Sequence, residues 1–130
     1  MTEIQNSKQY NLEQRTQDFA RRVRIFVQKI PRNTSNLEDG KQVIRSSGSI
    51  GANYIEANEA LSKKDFIMRI KISRKEAKET KFWLSLIDVG GKSELENEKE
   101  LLIKEASELM MIFSAIMRKS EIRGTKSEAF

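Results

Sequence analysis

Apolar side chains recur along this chain at spacings of three and four, and the places where that rhythm stops divide it into four helices. Leu12, Thr16, Phe19, Val23, Phe26 and Ile30 step by four and three, which predicts a first helix over about 12–30 with those residues on one face. Pro31 ends it, because the residue before a proline avoids helical geometry. The polar run Asn33-Thr34-Ser35-Asn36 reads as a linker rich in capping residues. A second helix is predicted over about 37–60, with Val43, Ile44, Ser47, Ile50, Gly51, Tyr54 and Ile55 facing inward. Gly48 and Gly51 lie inside it, where they predict the close approach of a neighbouring helix.

Ser62 reads as the cap of a third helix over about 63–89, stopped by Gly90-Gly91. Its inward arc is Phe66, Ile70, Ser73, Ala77, Thr80, Leu84 and Ile87. Glutamates crowd the start of a fourth helix over about 94–120, where the helix dipole favours negative charge. Its stripe is Leu102, Ala106, Leu109, Phe113 and Ile116. Residues 124–130 read as a frayed tail. With short connections the expected fold is a single all-α domain over 1–130, an antiparallel up-down-up-down four-helix bundle.

The third helix carries more than a core stripe. Opposite the inward arc lie Lys64, Lys71, Lys75 and Lys78, widened by Lys63, Arg74 and Lys81. Between Lys63 and Lys81 there are eight bases and three acids, an excess of five that equals the formal net charge of the whole chain, +5. Such a face suits the phosphates of nucleic acid, bound through counterion release with little sequence preference. A lysine-rich face is also what a merely solvated helix presents. Arg45, Lys64, Lys71, Arg74, Lys75 and Lys78 are the candidate contacts. Phe82, on the same arc, is a lone ring for stacking.

Between the two arcs lies an apolar flank of Met68, Ile72, Trp83 and Leu86. A monomeric bundle needs one apolar stripe per helix, so this flank is the candidate oligomer interface. Scattered surface hydrophobes would look the same residue by residue, as Ile25 and Met111 do.

The absent residue types narrow the chemistry. The chain has neither cysteine nor histidine. Disulfides, thiolate or imidazole zinc sites and Ser-His-Asp or Cys-His catalysis are therefore impossible within it. The carboxylate pairs Glu56/Glu59 and Glu76/Glu79 sit among bases at helical spacing, where ion pairing is the expected role. No nucleophile–base set is found, so no enzyme, cofactor or metal is expected. The polar start Met1–Lys8 resembles no signal peptide, and no apolar run is long enough to span a membrane. A cytoplasmic location follows as an expectation.

Two stretches carry a resemblance. Gln42-Val-Ile-Arg-Ser-Ser-Gly-Ser-Ile-Gly-Ala-Asn-Tyr-Ile-Glu-Ala57 resembles the second-helix signature of a bacterial family of four-helix bundles whose founding members are encoded in intervening sequences of 23S rRNA genes. Ser62-Lys-Lys-Asp-Phe-Ile67 and Lys75-Glu-Ala-Lys-Glu-Thr-Lys-Phe-Trp-Leu84 resemble its third-helix signature. The resemblance implies a homopentamer of largely unestablished function, with RNA or other nucleic acid as the expected partner. Related bundles serve as accessory proteins of diversity-generating retroelements, which adds a reverse transcriptase as the alternative partner. It implies no catalytic residues.

Overall fold

The computed structural model describes residues 11–126, and among these it contains four α-helices and no strand. The polar start and residues 127–130 of the expected tail lie outside the described residues. Helix α1 spans Leu12–Lys29. Asn11 caps it, accepting a hydrogen bond from the Gln14 amide at 3.0 Å. Ile30 is extended ahead of Pro31, as the proline requires.

Helix α2 spans Thr34–Asn58, starting ahead of the expected Leu37. Asn33 is the cause: its side chain accepts from the Asn36 amide at 2.8 Å and draws the linker into the first turn. Helix α3 spans Lys63–Leu86, with Ser62 accepting from the Asp65 amide at 3.1 Å. It stops short of the expected Val89. Ile87 is extended, and both it and Val89 are buried. Gly90 and Gly91, at φ 69° and 74°, then turn the chain rather than cap α3.

Helix α4 spans Ser93–Lys126, running beyond the expected end near Ser120 and through Gly124. One glycine costs only about 1 kcal/mol in a helix, too little to stop it.

Helix α1 packs on α2 and α4, and α3 packs on α2 and α4. Across the bundle α2 also reaches α4, where the rings of Tyr54 and Phe113 lie 5.8 Å apart. All six α1 stripe residues are buried, as are Leu102, Ala106, Leu109 and Phe113 of α4. The α2 arc needs correcting. Ile55 is 46% exposed, while Asn36, Gly40, Ser46 and Ala57 are buried in its stead.

Small polar groups fill the α2–α3 seam. Ser46 and Thr80 share a hydroxyl–hydroxyl bond of 2.8 Å, and Ser73 donates to the Ile50 carbonyl at 2.9 Å. Being fully partnered, they cost the core little. Gly51 meets α1 closely, since a Cβ there would stand 2.7 Å from Thr16 Oγ1. Gly48 does not act this way; its nearest neighbour is the mobile end of Arg24, at 3.5 Å.

At one end of the bundle Asn36 ties two connections together. Its Nδ2 donates to the carbonyls of Pro31 at 2.9 Å and Asp88 at 2.8 Å, and its Oδ1 accepts from the Asp88 amide at 3.1 Å. Arg15 joins α1 to α4 through Glu105 (2.7 and 2.8 Å) and Glu108 (2.9 Å). The hydrogen bond to Glu105 is the main cause that holds its guanidinium pKa above the ordinary value.

Candidate nucleic-acid interface

The core arc of α3 turns its opposite side outward, and the lysines follow from that geometry alone. Lys64, Lys71, Lys75 and Lys78 are all exposed, and Arg74 is half-buried at the edge of the face. From Lys64 to Lys78 the face is about 21 Å long at helical rise. Phe82 continues it, 55% exposed and edge-on to Trp83 at 5.0 Å.

The candidate cations differ in what they already hold. Arg45 lies across the α2–α3 seam, 3.9 Å from Glu76 and 3.8 Å from Glu79. Lys71 stands 3.7 Å from Glu121 of α4. Lys64, Arg74, Lys75 and Lys78 have no acidic partner among the described residues. The face thus has four unneutralised cations flanked by two that are partly neutralised. Each can donate to a phosphate oxygen, a contact that carries no base sequence.

Of the two carboxylate pairs, Glu76/Glu79 ion-pairs between helices, while Glu56 and Glu59 have no ion pair among the described residues. Glu76 also holds a feature missing from the sequence reading. Its side chain is 9% exposed, and its Oε1 has no hydrogen-bond partner. Such an atom costs about 1–3 kcal/mol or more when charged. The signal available in the sequence was its wheel position, at the border of the core arc beside Ala77 and Thr80.

The apolar flank runs along the same border. Met68 and Leu86 are 46% and 47% exposed. Ile72 and Trp83 are half-buried, and Trp83 packs against the core, so the bundle itself accounts for part of that ring. On the other side of α2 lies an open groove of about 590 Å³, between α1 and α2. Gly48, Gly51 and Ala52 line it, with Ile55, Arg21 and Arg24. Among the described residues no three acids group to hold a metal ion, and no helix is long and apolar enough to cross a membrane.

A bundle with a basic third helix and these two motifs has known counterparts. A family model described as 23S rRNA-intervening sequence protein matches residues 8–115. The chain belongs to this family. Both motifs that carried the resemblance fall inside the matched span, as do all the candidate cations. Glu121, which stands against Lys71, lies beyond it.

A crystal structure of a protein of unknown function, from the S23 ribosomal protein family of Bacteroides thetaiotaomicron VPI-5482, is similar in fold and sequence. It is 28% identical, covers 82% of this chain and 94% of its own, and superposes with a TM-score of 0.69. No curated protein matches the chain. The 23S rRNA-intervening sequence family is described by where it is encoded, and that neighbour has no known activity, so function has to be argued from the surface.

Proposed function

We propose that this member of the 23S rRNA-intervening sequence family is a non-catalytic, oligomeric protein of the cytoplasm that binds RNA or other nucleic acid through the outward face of α3. The observation that carries the reading is the alignment of Lys64, Arg74, Lys75 and Lys78 on one side of a single helix, with no acid set against them. The helices are read as antiparallel and up-down-up-down. In support, Ser46 meets Thr80, Ile50 meets Ser73 and Asn53 meets Arg69, so α2 and α3 advance in opposite senses. The homopentamer implied by the family resemblance would present the face several times over, and linked copies bind more tightly than one.

Salt dependence tests the reading. Four phosphate contacts on a single strand give a slope near −2.8 in log–log form, so affinity should fall about 50-fold between 50 and 200 mM salt. The triple variant Lys64→Glu, Lys75→Glu, Lys78→Glu should bind no RNA while keeping its helical circular dichroism. Affinity for a structured RNA that is flat across this salt range would overturn the reading.

A second reading is favoured by the exposed Met68 and Leu86: a protein-interaction scaffold, such as a reverse-transcriptase accessory subunit. Recovery of a reverse transcriptase with the tagged protein after nuclease treatment would favour it.

A further inference from the structure

We infer that the nucleic acid taken by the α3 face is a single strand, with one unpaired base stacked on the ring of Phe82. The inference rests on the nucleic-acid reading above and names the class of strand.

Phe82 belongs to the lysine row by position. At 3.6 residues per turn, Lys64, Lys71, Lys75, Lys78 and Phe82 fall within an arc of about 60°, and Phe82 stands at its centre. It follows Lys78 by one turn, about 6 Å along the helix. The ring is 55% exposed, whereas Phe19, Phe26 and Phe113 are buried in the core and Phe66 is half-buried.

The ring is also held ready. Trp83 lies with its centroid 5.0 Å away and its plane inclined by 69°. A neighbour at that angle covers at most one face of Phe82, and the other is open to a base. Trp83 packs against the core, so it is a fixed support. A ring already oriented loses little freedom on binding.

Electrostatics divides the work along the helix. Beyond Phe82, α3 carries no cation, and its last turn presents the negative end of the helix dipole. Lys99 reaches that end from α4, but its ammonium donates to the carbonyls of Ser85 at 3.4 Å and Ile87 at 2.9 Å. Phosphates therefore gain most along Lys64–Lys78, and an uncharged base face suits the end of the row. In a duplex each base is paired and stacked between its neighbours, so the row would hold its phosphates while Phe82 found no open face. An unpaired base supplies one, and stacking on a ring tolerates any base.

The test uses the full chain, a labelled unstructured RNA of about 12 nucleotides, and the same RNA annealed to its complement. By fluorescence anisotropy the wild type should prefer the single strand. Phe82→Ala should weaken single-strand binding roughly 5- to 100-fold, the share of one stacked base, and leave duplex binding and the salt slope unchanged. Phe82→Tyr should bind as wild type, and Phe82→Leu, apolar without a π face, should bind like the alanine variant. Circular dichroism and light scattering check that fold and assembly mass are kept. Salt-independent binding by the wild type overturns the nucleic-acid reading and this inference together. Salt-dependent binding that Phe82→Ala leaves intact, or weakens equally for single strand and duplex, overturns this inference and leaves that reading standing. So does a Phe82→Leu variant that binds as wild type. A Phe82→Ala variant of lower assembly mass places the ring in a protein contact and likewise overturns the inference alone.

Discussion

Replacing Asn36 with alanine should loosen the bundle at its α1–α2 end by an amount the hydrogen bonds set. The side chain is 3% exposed and makes three bonds, to the Pro31 carbonyl, the Asp88 carbonyl and the Asp88 amide. Each is worth about 1 kcal/mol net, which gives about 3 kcal/mol if the three backbone groups stay unpaired. Asp88 is exposed, so water can recover part of its share, and about 1.5 kcal/mol is the lower bound. For a chain of this size that is a fall of roughly 5–12 °C in Tm.

Asn36→Asp is the sharper probe. It keeps the acceptor for the Asp88 amide but loses both donors and sets a carboxylate against two carbonyl oxygens. Its place in the first turn of α2 returns only about 0.3–1 kcal/mol from the helix dipole. The aspartate should therefore be no more stable than the alanine. Urea unfolding followed by circular dichroism measures both. An alanine variant within about 0.5 kcal/mol of wild type, or an aspartate variant more stable than the alanine one, would refute the reasoning. Below the melting range, RNA affinity should not change, because the tie lies away from the basic face.

Gly51→Ala gains about 1 kcal/mol of helix propensity but drives a Cβ to 2.7 Å from Thr16 Oγ1, and the crowding should win by about 1–2 kcal/mol. Adding Thr16→Ala should return most of the loss, and urea midpoints of the two single variants and the double variant check this. Arg15→Met should cost about 1–3 kcal/mol, because Glu105 and Glu108 lose their shared donor. The pH dependence through Arg15 has a definite sign. Its folded pKa is raised, so its contribution is full at every pH below the titration of a free guanidinium and fades only as pH rises through the folded value. Stability differences between wild type and Arg15→Met should thus stay constant from pH 7 to about pH 10. In the salt titration, Lys75→Gln should lower the slope by about 0.7, the share of one phosphate contact.

The parts of this fold legible in the sequence are those set by periodicity. The α1 stripe, the Ser62 cap and the outward lysines of α3 all follow from spacing alone, because a regular helix turns spacing directly into direction. What escaped depends on pairs distant in sequence. Ile55 fits the α2 arc by angle, yet it ends up on the rim of the α1–α2 groove because Gly51 lets α1 sit deeper on one side. Asn36 looks like one more linker residue until Asp88, across the bundle end, supplies its partners. Glu76 reads as a surface acid, and only the position of α2 against α3 buries it. The early stop of α3 has the same origin, since Ile87 and Val89 leave the helix to reach the core. Spacing placed five of the six candidate cations on one face of α3 and gave Glu76 and Glu79 an ion-pairing role, but it did not single out Arg45 of α2 as their partner, nor Glu121 as the acid beside Lys71.

The way charge is sorted in the folded bundle explains why the basic face should bind without choosing a sequence. The cations that cross between helices to an acid or amide are mostly arginines: Arg15 and Arg22 toward α4, Arg45 and Arg69 between α2 and α3. A planar guanidinium suits that work, because it holds two acceptors at once. Lys71 is an exception, at 3.7 Å from Glu121, and Lys99 of α4 is another, donating to the Ile87 carbonyl at 2.9 Å. On the outward face of α3 the candidate cations are lysines apart from Arg74, hydrated point charges on flexible stems. Such groups follow a line of phosphates and let go of it readily, and they lack the fork that pairs with the edge of a guanine. Replacing Lys75 and Lys78 by arginine should therefore raise affinity and, by supplying that fork, bring in a preference for guanine that the wild-type face lacks. Binding measured against RNAs of equal structure and different base composition decides the point, and a preference of tenfold or more in the wild-type protein would show that bases are read.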